Sequence, residues 1–173
     1  MTNEIIREIE ELKKEKNAII LAHNYQPKEI QEIADFVGDS LELCIKANNV
    51  DEADIIVFCG VNFMAETASI ISPDKKVLLP DNRANCQMAD MVSLDELKKA
   101  KAEHPDCEVV LYVNSRAETK SEADIVCTSA NAGKIVSSLK SDNFIFAPDH
   151  NLGIYSAKQS GKNPIIVPED GHC

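Results

Sequence analysis

Short apolar runs rich in β-branched residues alternate with helix-like patterns along the whole chain. Two of the helical segments have clear start signals. Thr2 is a candidate N-cap for 3–16, and Ser93 with Glu96 fits a capping box in front of 94–103. Alternation of this kind is typical of βαβ units, so we predict an α/β fold with short parallel sheets in repeated three-layer αβα units. The apolar runs that we interpret as strands are 18–22, 54–59, 76–79, 108–113, 124–127, 143–147 and 164–167.

The strands and the residues beside them recur along the chain. The offsets between matching segments are 70, 68 and 90 residues, so the second unit keeps the order of the first and loses about 20 residues between its first two strands. This leaves only about nine residues, 115–123, for a crossover that normally needs roughly a dozen or more. The matching pairs are 52–55 with 122–125, 80–81 with 148–149, and the strand ending in Asn24 with the one ending in Asn114.

The repeat predicts the domain organisation. Residues 1–86 are expected to form the first α/β repeat unit and 87–163 the second, while 164–173 are expected to start a third, truncated unit. A parallel strand without a partner unit would be an exposed edge, so we expect a further unit or another chain to cover it.

Charge and hydrophobicity restrict the possible partners. The 173 residues carry a formal net charge of -11 at a pI near 4.8, which repels phosphate backbones and anionic lipid over a Debye length of roughly 8 Å. We therefore expect no nucleic acid and no membrane as partners. No apolar run approaches the roughly 20 residues of a membrane span, and the first residues do not look like a signal peptide. The sequence predicts a cytoplasmic protein.

The six cysteines fall into two groups. All are expected to be reduced thiols, because disulfides are rare in cytoplasmic proteins. No C-x-x-C occurs. Cys86 and Cys173 lie in polar loops that follow strands. The other four lie in apolar or strand-like surroundings and are expected to be small buried hydrophobic residues: Cys44, Cys59, Cys107 and Cys127.

Polar side chains collect where the predicted strands end. In open α/β sheets, ligands bind beyond the carboxyl ends of the strands, where helix N-termini offer free N–H groups. If the two units face each other about a pseudo-axis, these ends would converge on one anion-binding cavity. A lone histidine at such a place is more often structural, and Asn or Asp there is more often a turn or cap residue. The candidates for this site are His23, Tyr25, Ser40, Tyr112, Asn114 and Ser129.

Short motifs follow one another along the chain: His23-Asn24-Tyr25-Gln26, Gly38-Asp39-Ser40, Cys59-Gly60-Val61, Phe63-Met64-Ala65-Glu66-Thr67, Leu79-Pro80-Asp81 before Cys86, Tyr112-Val113-Asn114, Thr128-Ser129-Ala130-Asn131-Ala132 and Asn151-Leu152-Gly153. In these motifs the chain resembles the quinolinate synthase family over its whole length. The resemblance implies three similar α/β units around a pseudo-threefold axis, of which two are present here. It also implies an enzyme that condenses iminoaspartate with dihydroxyacetone phosphate to quinolinate in de novo NAD biosynthesis. The iminoaspartate would come from an aspartate-oxidising enzyme.

The resemblance implies a 4Fe-4S cluster held by one cysteine from each unit. Cys86 matches the first ligand and Cys173 the second, and the third is expected in the missing unit. One iron would stay open as a Lewis acid for dehydration. The match to the family is weaker at 168–173, which lacks the aromatic residue associated with the family there. The loop before Cys86 also departs from the family's pattern, at Arg83 and Asn85.

The resemblance also implies roles for the site residues. Tyr25 would move protons during catalysis, and Tyr112 would orient the substrate or act as a second donor. The residues that would anchor the substrate carboxylates or phosphate are His23, Ser40, Tyr112, Asn114 and Ser129.

Two other classes of protein stay open. One is a truncated, non-catalytic α/β module that binds anions, which dicarboxylates or triose phosphates would stabilise without turnover. The other is a cysteine-dependent α/β enzyme with a reactive Cys86, which alkylation without metal would reveal. Because one cluster ligand and one unit are missing, an inactive fragment is also among the expected outcomes.

Overall fold

The computed structural model describes residues 2–50 and 53–172. Helices and strands alternate along this part of the chain. The longest helix has 13 residues, and no helix in the described ranges has both the length and the apolar character of a membrane span. The elements are α1 (Asn3–Glu15), β1 (Ala18–His23), α2 (Lys28–Gln31), β2 (Phe36–Gly38), α3 (Ser40–Asn48), β3 (Ile55–Cys59), α4 (Asn62–Ile71), β4 (Lys76–Leu78), a short 3-10 helix (Met88–Asp90), α5 (Leu94–Glu103), β5 (Glu108–Tyr112), α6 (Ala117–Lys120), β6 (Ile125–Cys127), α7 (Ala132–Ser138), β7 (Asn143–Ala147), α8 (His150–Ser160) and β8 (Asn163–Ile166).

The chain divides into two compact units, residues 1–85 and 86–173, and each contains one four-stranded sheet. The strand orders are β2-β1-β3-β4 and β6-β5-β7-β8, and the paired strands in both sheets are parallel. The predicted α/β class with short parallel sheets is therefore confirmed.

The second sheet is buried on both of its faces. Val110, Phe144 and Phe146 pack into one core with α7 and α8, whereas Val109 and Ile145 pack into a second core with α5. Neighbouring residues of a strand point to opposite faces, so this division shows a helix layer on each side of the sheet. The three-layer αβα arrangement follows.

The predicted helix starts are present. The Thr2 hydroxyl accepts the Ile5 N–H at 3.5 Å in front of α1. In front of α5, Ser93 and Glu96 form the expected capping box. These local signals identified both helices because capping depends on residues within one turn of the helix.

The repeat between the two units differs from the predicted one. The Asp35 carboxylate accepts the Ile20 N–H at 2.7 Å, and the Asp124 carboxylate accepts the Val109 N–H at 2.7 Å. Asp35 and Asp124 lie 89 residues apart, as do Ile20 and Val109, so 122–125 corresponds to 33–36, the segment that enters β2, and not to 52–55. The predicted loss of about 20 residues is wrong. The error arose because β2 has only three residues and no apolar run that would identify it as a strand.

The last strand also differs from the expected domain organisation. β8 pairs with β7, with Ile165 opposite Ile145, and so forms the fourth strand of the second sheet, as β4 does in the first. The expectation that 164–173 starts a third unit is corrected, because Ile165 and Val167 pack against the core of the second unit. The boundary between the first two units lies after Asn85 instead of after Cys86.

Each unit contains a lysine that ties a helix end to the next strand. The Lys162 ammonium donates to the carbonyl oxygens of Leu139 at 2.7 Å and Ser141 at 2.8 Å, in the link from α7 to β7. In the first unit, the Lys75 ammonium donates in the same way to the carbonyl oxygens of Val50 and Ala53 in the link from α3 to β3. These charged donors satisfy carbonyl groups at a helix end that have no partner within the helix.

We predict that Lys162→Met lowers the free energy of unfolding by roughly 2 kcal/mol, since it removes two charge-assisted hydrogen bonds to backbone carbonyls. Lys158→Met is the matched control, because it removes the same charge from an exposed position on α8. Urea unfolding of both variants is the measurement. Equal destabilisation in the two variants would mean that net charge, and not the two bonds, is responsible.

Candidate functional site

In the first unit, three of the predicted site residues lie together beyond the ends of β1 and β2. His23 ends β1 opposite Gly38 of β2, and Ser40 begins α3 two residues later. The Ser40 hydroxyl oxygen is 3.4 Å from Nε2 of His23. The ring of Tyr25 stacks on the imidazole, with ring centroids 4.0 Å apart at 32°. The structure therefore brings together His23, Tyr25 and Ser40.

The start of α3 is held by a capping box. The Asp39 carboxylate accepts the N–H groups of Leu41 and Glu42 at 2.9 Å each, and the Glu42 carboxylate accepts the Asp39 N–H at 3.0 Å. This reciprocal pair fixes the first turn of the helix and with it the position of Ser40. α3 therefore starts at Ser40 with Asp39 as its N-cap.

His23 is a neutral hydrogen-bonding group at pH 7. Burial lowers its pKa, and the nearby Asp39 carboxylate partly opposes this shift. The backbone N–H of Tyr25 donates to Nδ1 at 3.3 Å, so Nδ1 is the acceptor and the neutral ring carries its hydrogen on Nε2. This hydrogen faces the Ser40 oxygen. His23 thus offers a donor without a full positive charge.

Tyr25 connects this cluster to α4. Its side chain is about half exposed, at 51%, and its hydroxyl donates to the sulfur of Met64 at 3.9 Å. A phenol that is both stacked and solvent-accessible can exchange a proton with a bound molecule while its ring stays in place.

The second unit has a cavity of about 340 Å³ at the corresponding strand ends. Tyr112 ends β5 and pairs with Cys127 of β6, just as His23 ends β1 and pairs with Gly38 of β2. Two predicted residues, Tyr112 and Ser129, line the cavity together, whereas Asn114 follows β5 in a partly buried position outside the lining. The lining residues are Met88, Tyr112, Ser129, Asp149, Asn151, Leu152 and Tyr155.

The predicted polar residues of the two units occupy equivalent positions. His23 corresponds to Tyr112, because each ends the first strand of its sheet at the same register. The offset of 89 residues also relates Tyr25 to Asn114 and Ser40 to Ser129. The six residues are therefore one set of three positions that occurs twice, with different side chains at two of the three positions.

The sequence reasoning named none of the five other cavity residues as site residues, although Asn151 and Leu152 lie in a motif that carries the family resemblance. Asn151, Leu152 and Tyr155 lie at positions i, i+1 and i+4 of α8, a spacing that places them on one side of the helix. The helical spacing behind the capping residue Asp149 would have identified them. Met88, in the 3-10 helix, had no signal in the sequence because its position depends on tertiary packing.

Asp149 holds the start of α8 in an unusual backbone conformation. Its φ of 65° lies in the left-handed region, which Asp tolerates better than most residues. Its carboxylate accepts the Leu152 N–H at 2.7 Å and so caps the helix beside the cavity.

The cysteines divide largely as expected. Cys44 and Cys127 are buried, and burial raises the pKa of the Cys127 thiol to about 12. Cys59 and Cys107 are only partly buried, so the expectation of full burial is wrong for these two, although burial raises the pKa of both thiols. Such thiols are poor nucleophiles and poor metal ligands in this state.

Cys86 has a different environment. It is a free, partly buried thiol that follows the loop 81–85. That loop is held by Asp81, whose carboxylate accepts the Arg83 guanidinium at 2.7 and 3.0 Å and its backbone N–H at 2.9 Å. It is also held by Asn62, whose N–H donates to the Ala84 carbonyl at 2.8 Å.

The described residues offer part of the ligand set of an iron-sulfur cluster. Within 2–50 and 53–172, no three His, Cys, Asp or Glu side chains are grouped as a metal site would need. Cys86, a thiol in a held loop, fits one ligand position, and the other predicted ligand, Cys173, lies outside the described residues. The described residues therefore fit part of a ligand set whose members are spread along the chain.

Fold and site together define a class. The molecule is an α/β protein of two parallel-sheet units, with hydrogen-bonding side chains at the carboxyl ends of its strands, as in enzymes that bind small anions. A family model described as quinolinate synthetase A protein matches residues 7–173. The chain belongs to the quinolinate synthase family.

Curated relatives carry the same name. The quinolinate synthase of Methanothermobacter thermautotrophicus is 59% identical over 173 residues, that of Thermococcus onnurineus 62% over 170, and that of Dehalococcoides mccartyi 59% over 172. The alignments cover 98–100% of this chain and 56–57% of the relatives. The chain thus spans a little over half the length of these relatives.

We predict that Asp39→Asn lowers the pKa of His23 further, because the carboxylate that opposes the effect of burial is removed while a capping oxygen remains. An NMR titration of the imidazole signals measures this. Glu8→Gln, which removes the same charge from an exposed site on α1, should leave the His23 pKa unchanged.

The lowered pKa of His23 also determines how its contribution to stability changes with pH. The pKa of His23 is lower in the folded state, so its contribution to stability is complete above the unfolded value near 6.5 and is lost as the pH falls through the folded value. A rise of the His23 pKa in Asp39→Asn would contradict this electrostatic account.

Proposed function

We propose that this chain provides two units of an enzyme that condenses iminoaspartate with dihydroxyacetone phosphate to quinolinate, in de novo NAD biosynthesis. The observation that carries the proposal is the cluster of His23, Tyr25 and Ser40 in a chain that matches quinolinate synthases along nearly its whole length. The proposed location is the cytoplasm, with iminoaspartate supplied by an aspartate-oxidising enzyme. Nucleic acid and membranes are poor partners for a chain with a net charge of -11.

Substrate binding would use neutral donors in a strongly acidic protein. Iminoaspartate carries two carboxylates and dihydroxyacetone phosphate carries a phosphate, so the site has to replace the hydration of anions. The neutral His23 and the hydroxyl of Ser40, at the N-terminus of the nine-residue α3, provide donors of this kind. In the second unit the proposed anchoring residues are Tyr112, Asn114 and Ser129.

Proton transfer is assigned to Tyr25. The condensation requires a proton to leave carbon and water to leave the product, so a group that can hold and return a proton is needed. The Tyr25 phenol is stacked on His23 and half exposed, so its oxygen can face a bound molecule. Tyr112 would orient the substrate or act as a second donor.

Cys86 and Cys173 are proposed as two ligands of a 4Fe-4S cluster, with the third ligand supplied from outside these 173 residues. When bound, the cluster supplies a Lewis acid for the dehydration chemistry. Reading the coding sequence past Cys173 for a further α/β unit, a His-Pro-Glu-like stretch and one more cysteine tests this part of the proposal.

We predict that Cys86→Ala abolishes the brown colour and the bound iron of the anaerobically purified protein made from the complete coding sequence, because a thiolate ligand is lost. Cys107→Ala is the control, since it removes another partly buried thiol of the same unit. Iron and sulfide analysis is the measurement. A coloured Cys86→Ala protein with full iron content would remove Cys86 from the ligand set.

We predict that Tyr25→Phe lowers quinolinate formation by at least about 100-fold, the usual size of a lost acid–base group, while iron content stays unchanged. The variant keeps the ring that stacks on His23, so the fold is preserved. Turnover at wild-type rate would exclude Tyr25 from proton transfer. If dicarboxylates or triose phosphates raise the melting temperature while the iron-loaded protein forms no quinolinate, the result would instead favour a non-catalytic binding module.

A further inference from the structure

His150 holds the segment that leads to Cys173. It is the first residue of α8, and its backbone N–H donates to the Gly171 carbonyl at 2.7 Å. Its ring nitrogen Nδ1 is 2.8 Å from the Glu169 carbonyl oxygen. One residue therefore binds two points of the segment 167–172, which we call the C-terminal loop.

The ring contact also shows which ring nitrogen of His150 carries a hydrogen. A carbonyl oxygen can only accept a hydrogen bond, so Nδ1 of His150 must carry a hydrogen and donate it to Glu169. In the neutral ring this is the Nδ1–H tautomer. The contact requires a donor at that position of the side chain, and a ring of similar size without one cannot replace it.

The C-terminal loop lies close against the start of α8. Gly171 is buried, and a Cβ atom there would lie 3.2 Å from the Pro168 oxygen and 3.3 Å from the Asp149 nitrogen. Contacts this short leave little space between the backbone of the loop and that of the β7–α8 turn. The position of the loop backbone therefore depends on the position of this turn.

The last loop of the first unit has the same anchor before the other candidate ligand, Cys86. Asn62, the first residue of α4, donates its N–H to the Ala84 carbonyl at 2.8 Å, as His150 does to Gly171. Ala84 and Gly171 each stand two residues before a predicted ligand, Cys86 or Cys173.

The second contact differs between the units. In the first, the loop is held by the ion pair of Asp81 and Arg83. In the second, the Nδ1–H of His150 donates a further hydrogen bond to the Glu169 carbonyl oxygen. The backbone bond is thus common to both units, and the imidazole bond belongs to the second.

We propose that His150 is a positioning residue that holds the C-terminal loop so that Cys173 is presented for cluster binding. The inference rests on the proposed function, because that proposal assigns Cys173 as a ligand. His150 acts through the loop backbone.

The test compares two substitutions at this position. His150→Phe keeps a planar ring and removes the donor, whereas His150→Asn keeps an N–H donor close to the place of Nδ1 and matches Asn62 of the first unit. His104→Phe, at the end of α5, is the matched control for a His to Phe change in the same unit.

Hydrogen exchange of the C-terminal loop, followed by mass spectrometry on the iron-free protein, is the first measurement. We predict that exchange is about fivefold faster in His150→Phe and close to wild type in His150→Asn and His104→Phe. Unchanged exchange in His150→Phe overturns the proposal.

Iron retention against a chelator, in protein made from the complete coding sequence, is the second measurement. Iron should leave His150→Phe severalfold faster than wild type, and His150→Asn should restore the slow rate. Equal rates in all variants overturn the positioning role, because the contact would then be structural only. A wild-type protein that takes up no iron refutes the proposed function, and the exchange measurement alone then decides on His150.

Discussion

Burial of both faces of the second parallel sheet determines where its polar groups can lie. Along β5 and β7, alternate residues pack into opposite cores, so an unpaired polar side chain in the middle of these strands would be costly. The first position where a polar group can reach solvent is the carboxyl end of a strand. Tyr112 stands at such an end, and His23 stands at the corresponding end of β1 in the first sheet. The location of the candidate site is thus a consequence of the packing.

The repeated fold presents the same positions with different chemistry. The strand-end position is an imidazole in the first unit and a phenol in the second, and the position two residues later is Tyr25 or Asn114. The position at the following helix start is serine in both. A duplicated backbone keeps the geometry of these positions, while substitution of the side chains allows one unit to carry the proposed proton-transfer group and the other to provide further hydrogen bonds. The loops before the two candidate cysteines also combine a shared feature with different side chains. Each accepts a backbone hydrogen bond from the first residue of a helix, and a different side-chain contact adds to it in each loop.

Electrostatics in the first unit favour binding of anions by neutral groups. The capping box ties up the carboxylates of Asp39 and Glu42 at the start of α3, so these charges are occupied by backbone N–H groups. Burial keeps the His23 imidazole neutral with its hydrogen toward Ser40. Donors of this kind retain their strength in an acidic protein because they do not depend on a positive charge that the surrounding carboxylates would neutralise.

The sequence by itself determined the α/β class, both predicted helix starts and most strands. These features depend on short-range signals, such as Thr2 in front of α1 and the alternation of apolar runs with helical segments. It also predicted the polar residues that lie together in each unit, His23 with Ser40 and Tyr112 with Ser129. This was possible because ligand-binding side chains of parallel sheets lie beyond the carboxyl ends of the strands. Only the tertiary structure decided how the repeats align and where the last strand belongs. The three residues of β2 have no pattern of their own and form a strand only because β1 supplies their hydrogen-bond partners. β8 has a strand pattern, but its place beside β7 depends on packing of Ile165 against the core of the second unit. Packing alone also brings Met88 to the cavity.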